Sequence, residues 1–199
     1  DIALQHLHVV LAVDRAGLVG ADGETHHGCF DALFLPEIPG FTVLCPSNFA
    51  ELRRMLKWAI EECDGPVAVR YPRGGEGALK TDTGIEPVVR LKNGADVTLI
   101  SYGTLIQNVI DAARLLEQQG VSAEVLKLNQ IVPLQFEMLA PYFQDTRPVL
   151  IVEDSFETGS VGQRIAAILE EHGLAPRKLI LKNLKETFAP EGTVAQLQS

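Results

Sequence analysis

The residue types with the most chemical potential lie close together in one connection, "DRAGLVGADGETHHGCFD", residues 14 to 31. This connection follows the apolar run "LHVVLAVD" and contains Asp22, four residues before His26. A histidine titrates near neutral pH, so it can move protons or bind oxyanions, and a neighbouring carboxylate can orient it. Glycines at 17, 20, 23 and 28 allow sharp turns and close approach to a ligand. The pattern predicts a catalytic or binding loop, with an ordinary solvated loop as the alternative.

A metal site is the second chemistry that this loop could support. Asp22, Glu24, His26 and His27 are all possible ligands. However, adjacent histidines in an extended chain point in opposite directions and rarely share a metal. The sequence contains no HExxH motif and no second ligand cluster. We therefore predict no metal site, with His26 as the functional histidine and His27 as incidental.

Two arginines follow the ends of predicted strands. Arg15 begins the loop, and Arg73 lies in "RYPRG", residues 70 to 74, where Pro72 stiffens the approach. A guanidinium group can form a bidentate contact with a phosphate or a carboxylate. The alternative for each arginine is a structural salt bridge, which is the more common role of this residue.

A third stretch, "EDSFETGSVG", follows another predicted strand. Gly159 and Gly162 flank the start of a helix there, and a helix N-terminus can bind an anion. Two glycines are weak evidence for such a site. We favour the interpretation that they allow close packing of the helix on a strand.

The elements that must position these residues alternate between strand and helix. Continuous apolar strands such as "VVLAV", "VAV" and "LIV" indicate burial on both faces. Asn48, three residues before Glu51, predicts the start of a helix over "FAELRRMLKWAIEEC", although Ser47 could equally be the cap. The apolar face of this helix would contain Leu52, Met55, Leu56, Ala59 and Ile60. The glycine-rich residues 74 to 95 separate two such alternations, although "PVVRL" within them could form a short strand. The predicted fold class is α/β, with two doubly wound, mostly parallel sheets.

Composition narrows the classes of function. The 199 residues suffice for one large domain or two small ones, and the net charge of −9 argues against a nucleic-acid partner. No apolar run approaches the ~20 residues that span a bilayer, so we expect no membrane association. The three cysteines, Cys29, Cys45 and Cys63, form no CxxC motif. An odd number of unpaired cysteines favours a reducing, cytoplasmic compartment.

Taken in order, the motifs "DRAGLVGADGETHHGCFD", "GPVAVRYPRG", "GTL" and "VEDSFETGSVG" resemble those of the 1-deoxy-D-xylulose-5-phosphate synthases. These are transketolase-like enzymes that depend on thiamine diphosphate. The resemblance covers nearly the whole chain. It implies the C-terminal part of a pyrimidine-binding domain over residues 1–80, a linker over 81–92 and a transketolase C-terminal domain over 93–199.

The resemblance also implies a reaction and residue roles. Such enzymes join pyruvate to glyceraldehyde 3-phosphate with loss of carbon dioxide, on the way to isoprenoid precursors, thiamine and pyridoxal. Arg15 and Arg73 would be substrate-binding residues that hold the phosphate of the aldehyde. His26 and Asp22 would be catalytic, with His26 as proton donor or hydrogen-bond partner at the reacting oxygens. Asp22 would be its neighbour and would contact a substrate hydroxyl.

The resemblance implies missing parts as well. The glutamate that activates the cofactor, and an aromatic platform beside it, would precede Asp1, and no GDG metal motif occurs here. We therefore expect thiamine diphosphate and Mg²⁺ in the complete enzyme, but no cofactor-binding residues in this chain and no activity from the fragment alone. Its partners would be the missing N-terminal part of the enzyme and a second copy in a homodimer. Near the end, "NLKE" replaces the family's Gly-(Leu/Ile)-Pro-Asp element, and "FAPEGT" after it returns to the family pattern.

Two other interpretations of the chain stay open. The β-type subunit of a 2-oxo-acid dehydrogenase, or another split transketolase-like enzyme, would have the same two domains. A lipoamide-using enzyme would have no need of the paired arginines. A non-catalytic α/β binding module would require a complete first sheet within these residues.

Overall fold

The structure is a computed structural model, and it describes residues 1–185 and 187–198. Glu186, in the "NLKE" segment, lies outside the described residues. The strands are β1 Val10–Val13, β2 Thr42–Leu44, β3 Val67–Arg70, β4 Val88–Lys92, β5 Val97–Tyr102, β6 Ala123–Leu128, β7 Gln130–Val132, β8 Val149–Phe156 and β9 Leu179–Leu184. The helices are α1 Asp31–Phe34, α2 Phe49–Glu61, α3 Ile106–Gln118, α4 Phe136–Leu139, α5 Val161–Glu171 and α6 Val194–Leu197.

The first sheet has the strand order β1-β3-β2-β7. Strands β1, β3 and β2 are parallel, whereas β7 runs antiparallel to β2. The sequence did not predict β7, because "QIV" is too short to show a period. This strand comes from the second half of the chain, so the second half completes the sheet of the first.

The second sheet has the order β4-β6-β5-β8-β9, and only β4 is antiparallel to its neighbour. Helix α3 packs against one face, where Val109 and Ala113 meet Leu99 and Val125. Helix α5 packs on the opposite face. These contacts confirm the predicted α/β class with doubly wound, mostly parallel sheets.

One local expectation needs correction. Strand β1 lies at the edge of the first sheet among the described residues, and Ala12 on it is exposed. Ile60 was predicted on the apolar face of α2, yet it is 59 % exposed, because it lies about 100° around the helix from the buried Ala59. Of the two candidate caps of α2, Asn48 is the one used: its side chain accepts a hydrogen bond from the Glu51 backbone N–H.

The predicted linker is an ordered part of the molecule. Strand β4 occupies its "PVVRL" segment and pairs with β6. Just before it, the Thr83 hydroxyl donates to buried Glu51 of α2 at 2.6 Å. The domain limits at 80 and 93 stay a prediction. Across the described residues, no helix is both long and apolar enough to cross a bilayer.

Candidate active site

The loop after β1 is closed at its base by two backbone hydrogen bonds. Gly17 N–H donates to the Gly28 carbonyl and Gly28 N–H to the Gly17 carbonyl, both at 2.9 Å. Gly17 has φ +74°, and the carboxyl group of Asp154 occupies the space that a Cβ would need. The carbonyl of Arg15 does the same at Gly28. Both glycines are therefore required for close approach.

Arg15 has an unusual backbone at the head of this loop. Its φ of +57° lies in the left-handed region, which costs a non-glycine residue about 1 kcal/mol. The conformation directs the guanidinium group along the loop, where Nε donates to Asp22 Oδ2 at 3.0 Å. Its Nη1 donates to Asp14 at 2.9 Å. Such strain at a polar residue is typical of functional sites.

Arg73 reaches the same carboxylate from a distant part of the chain. Its Nη1 forms an ion pair with Asp22 Oδ1, while Arg15 occupies Oδ2. Both arginine side chains stay accessible, at 40 % for Arg15 and 55 % for Arg73. The two guanidinium groups thus converge with free N–H donors, an arrangement that suits a phosphate dianion.

His26 and Asp22 share the loop but form no pair. The Asp22 carboxylate is bound by the two arginines, and His26 Nδ1 contacts the Thr25 hydroxyl at 2.9 Å. The expectation that Asp22 orients His26 is therefore wrong for this arrangement, because two cations compete for the same carboxylate. His26 is exposed and accessible to a substrate.

His27 was expected to be incidental to function, and the structure shows that its ring is a buried part of the fold. Its side chain is buried, and its Nδ1 accepts a hydrogen bond from Val19 N–H at 3.1 Å. Its Nε2 lies 3.3 Å from the Pro190 carbonyl oxygen. A buried polar ring with both nitrogens bonded is part of the architecture.

Sequence reasoning also missed a buried arginine under the loop. Arg70 forms a bidentate pair with Asp31, at 2.6 and 3.0 Å, and its Nη2 donates to the Gly28 carbonyl at 3.2 Å. Its guanidinium carbon lies 5.5 Å from the centre of the Tyr102 ring, on the second sheet. An arginine at the end of the apolar run "VAVR" was the available signal, because a buried charge needs a partner.

The anion site considered at the start of α5 is filled by the chain itself. The Glu153 carboxylate accepts hydrogen bonds from Val161 N–H at 3.1 Å and from Gly162 N–H at 2.9 Å. A Cβ on Gly162 would lie 2.7 Å from Leu181 and 2.9 Å from Glu153. The favoured interpretation, helix packing, is confirmed at this position.

A cavity of about 260 Å³ lies beside Arg73, between the ends of β2 and β3. Its lining includes Tyr71 and Pro72 before Arg73, Gly74 after it, and Phe49 at the start of α2. Within 1–185 and 187–198, no three His, Cys, Asp or Glu side chains are grouped closely enough to hold a metal ion.

Comparison with protein families identifies the class of this fold and site. Residues 1–75 match the transketolase pyrimidine binding domain, and residues 87–194 match the transketolase C-terminal domain. The second match alone covers more than half of the chain. The chain belongs to the transketolase family.

Within this family, the chain is similar to 1-deoxy-D-xylulose-5-phosphate synthases. It is 39 % identical over 202 residues to that enzyme of Chlorobium phaeovibrioides, covering 99 % of this chain and 32 % of the relative. With the enzyme of Halothermothrix orenii it is 39 % identical over 204 residues, covering 100 % of this chain and 32 % of the relative. The chain thus spans about a third of the length of these relatives.

Solved structures share the same fold. A split-gene transketolase superposes with a TM-score of 0.83 at 28 % identity, covering 94 % of this chain and 61 % of that one. A transketolase of Pichia stipitis in complex with sedoheptulose 7-phosphate has a TM-score of 0.80 at 19 % identity, covering 98 % of this chain and 28 % of that one. The second likeness shows the fold alone.

Proposed function

We propose that this chain supplies the acceptor-binding part of a thiamine diphosphate-dependent 1-deoxy-D-xylulose-5-phosphate synthase, a transferase of the transketolase class. The enzyme would condense pyruvate with glyceraldehyde 3-phosphate and release carbon dioxide. The observation that carries the proposal is the convergence of Arg15 and Arg73 on Asp22 from segments more than fifty residues apart. The similarity to synthases of this name over almost the whole chain supports it.

In this proposal the two arginines bind the phosphate of the aldehyde. A phosphate dianion offers more acceptor oxygens than the Asp22 carboxylate, so it can bind both guanidinium groups at once. Asp22 holds the arginines in place before the substrate arrives, and it can accept a hydrogen bond from a substrate hydroxyl. His26, exposed beside them, would donate a proton to the aldehyde oxygen as that oxygen becomes a hydroxyl.

The residues of this site do not fit the Mg²⁺ that accompanies thiamine diphosphate. The donors of this site are two arginines and a histidine around one carboxylate, and the described residues contain no cluster suited to a metal. We propose that the cofactor is held by residues outside this chain, in the N-terminal part of the enzyme and across a dimer. The related split-gene transketolase is described as an inactive β4 tetramer, which supports this view.

Calorimetric titration of the chain with thiamine diphosphate and Mg²⁺ tests whether residues outside this chain hold the cofactor. We expect no tight, stoichiometric binding to the chain alone. Tight binding would contradict the proposal that the cofactor site lies elsewhere.

Arg73→Ala in the active enzyme tests the proposed acceptor site. Loss of one charge-assisted pair should raise KM for glyceraldehyde 3-phosphate by ~10–100-fold. KM for unphosphorylated glyceraldehyde should stay the same. Arg114→Ala is the matched control, because this arginine pairs with Asp111 at 65 % exposure on α3. An unchanged KM for the phosphorylated aldehyde, or acceptance of a lipoyl domain in its place, would defeat the assignment.

The compartment is part of the same proposal. Cys29, Cys45 and Cys63 are all free thiols, and the first two are buried. Unpaired cysteines are typical of a reducing compartment, which supports a cytoplasmic enzyme.

A further inference from the structure

We propose that His27 is a positioning residue of the phosphate site, which holds the Arg15–Asp22–His26 loop against residues 190–194 of the second domain. The proposal rests on the proposed function, because it gives the loop its role in binding the aldehyde phosphate. His27 itself would touch neither substrate nor cofactor.

The hydrogen bonds of His27 fix one tautomer of its ring. Nδ1 accepts from Val19 N–H at 3.1 Å, so this nitrogen carries no proton. The proton is therefore on Nε2, which donates to the Pro190 carbonyl at 3.3 Å. Only 8 % of the residue is exposed, whereas Thr25 and His26 before it are exposed.

The position of the His27 ring in the loop explains how it would hold Asp22 and His26 in place. The base of the loop is closed by the Gly17–Gly28 pair, and the His27–Val19 bond adds a second closure one step further out. The residues between Val19 and His27 include Asp22 and His26. The second closure therefore lies between the base of the loop and the groups that would meet the substrate.

A second contact joins the loop to the same segment of the second domain. Gly20 has φ +67°, and a Cβ there would lie 2.9 Å from the Gly192 carbonyl oxygen and 3.3 Å from Val194 N. Gly20 and His27, which lie on either side of Asp22 and His26 in the sequence, thus both contact residues 190–194. This gives the "FAPEGT" motif a role: its backbone supports the loop.

Three substitutions separate the two bonds of His27. In His27→Asn the side-chain amide lies where Nδ1 lies, so it can still accept from Val19 N–H but cannot reach Pro190. In His27→Gln the longer amide can reach Pro190 but loses the Val19 bond. His27→Leu fills the space without either bond. His6→Asn is the matched control, because His6 is exposed and its φ of +51° is one that asparagine tolerates.

Three measurements on the chain without thiamine diphosphate test the proposal. Calorimetry gives the affinity for glyceraldehyde 3-phosphate, and hydrogen exchange followed by NMR gives the protection of the Val19 amide. We expect His27→Asn and His27→Gln each to weaken binding by about 3- to 10-fold, and His27→Leu by more. Val19 exchange should accelerate in the Gln and Leu variants, but not in the Asn or His6→Asn variants. The ¹⁵N shifts of wild-type His27 should show the proton on Nε2.

The outcomes keep this inference separate from the proposed function. If Arg73→Ala weakens binding and His27→Leu does not, His27 is not a positioning residue. Unchanged Val19 exchange in His27→Leu, or a proton on Nδ1 in the wild type, would overturn it as well. If wild type and Arg73→Ala bind equally, the proposed function fails, and the positioning role fails with it.

Discussion

At the scale of single residues, the contact between Gly17 and Asp154 joins the loop after β1 to β8. Gly17 combines a positive φ of +74° with a position where the Asp154 carboxyl group already occupies the Cβ space. Burial raises the pKa of this carboxyl group, and nearby Asp31 raises it further, although Arg70 acts in the opposite direction. Because the Asp154 carboxyl group fills the space of a Cβ at position 17, a residue other than glycine would collide with it there.

Gly17→Ala should destabilise the fold by about 2–3 kcal/mol, because backbone strain and a steric conflict add together. Gly23→Ala is the matched control: φ is +79°, but nothing lies within 4 Å of the added Cβ, so only the strain of about 1 kcal/mol applies. Urea unfolding measures both values. Asp154→Ala in the Gly17→Ala background should recover the stability that Gly17→Ala loses beyond the loss in Gly23→Ala. Equal losses of stability for the two glycine variants would contradict the steric argument.

Two buried thiols, Cys29 and Cys45, make the stability of the fold depend on pH in the alkaline range. Burial, with a smaller effect of Asp154, raises the pKa of Cys29 from 9.0 to about 12. Burial raises the pKa of Cys45 to about 11, against the opposing influence of Arg70. In the unfolded chain both thiols ionise near their ordinary pKa, so above pH ~9 the unfolded state binds fewer protons than the folded state. Stability contributed by these thiols is complete below that pH and is lost as pH rises.

Each thiol should lower the unfolding free energy by up to ~1.4 kcal/mol per pH unit between about pH 9 and 11. Urea unfolding of wild type and Cys29→Ala over pH 7–10.5 isolates one of them, because tyrosines and lysines that titrate in this range are common to both proteins. We expect the unfolding free energy of Cys29→Ala to fall less steeply with pH than that of the wild type, by that amount. Parallel slopes would show that Cys29 ionises equally in both states.

At the scale of elements, α2, the linker and β6 meet at a buried ion pair. Glu51 Oε2 lies 3.0 Å from Lys127 Nζ, and both side chains are fully buried. Ser47 N–H and the Ser47 hydroxyl donate to Oε2 at 2.8 and 2.7 Å, and Thr83 donates to Oε1 at 2.6 Å. Burial acts to raise the pKa of Glu51, but Lys127 and these donors outweigh it and lower the pKa. The pair therefore joins the two halves of the chain through a charged contact.

Lys127→Met should cost about 3–5 kcal/mol at pH 7, because it leaves the Glu51 charge buried without its partner. The double variant Glu51→Gln, Lys127→Met should recover most of this loss. Lys127→Met removes the group that lowers the pKa of Glu51, while burial still acts to raise it. Glu51 of the variant therefore takes up a proton at a higher pH than in the wild type, and its buried charge is then removed. The difference between wild type and Lys127→Met should therefore shrink from pH 7 to pH 4 in chemical unfolding, and a constant difference would contradict the charged pair.

The elements also show where sequence reasoning succeeds and where it stops. The helices α2, α3 and α5 were predictable because each has a clear apolar period and a local cap or stop signal. Strand β7 was not, because three residues show no period and its partner, β2, lies in the other half of the chain. In the same way, Arg15 and Arg73 were identifiable from their places after strands, whereas the shared contact with Asp22 depends on tertiary structure. The roles of His27 and Arg70 depend on the Pro190 carbonyl and on Asp31, which no local pattern indicates.

At the scale of the whole molecule, one cluster of buried side chains spans both family domains. A single cluster of buried side chains includes Val43 and Ala68 of the first sheet, Ile100 and Ile151 of the second, and Ile131 of β7. The Glu51–Lys127 pair and the contact of Arg70 with Tyr102 cross the same boundary. Each family domain by itself would therefore leave its side of this cluster exposed.

We predict a single cooperative unfolding transition for the chain. Residues 1–86 alone would lack β7 and the apolar cover from the second sheet, and residues 87–199 alone would expose the opposite side of the same cluster. One transition should have a calorimetric enthalpy of about 140 kcal/mol near 60 °C, equal to its van't Hoff enthalpy, whereas independent domains would give two transitions of about 60 and 80 kcal/mol. Scanning calorimetry of the chain and circular dichroism of the two separate segments distinguish these cases. Two resolved transitions, or a segment that unfolds cooperatively alone, would show that the shared core is dispensable and that each family domain is an independent folding unit.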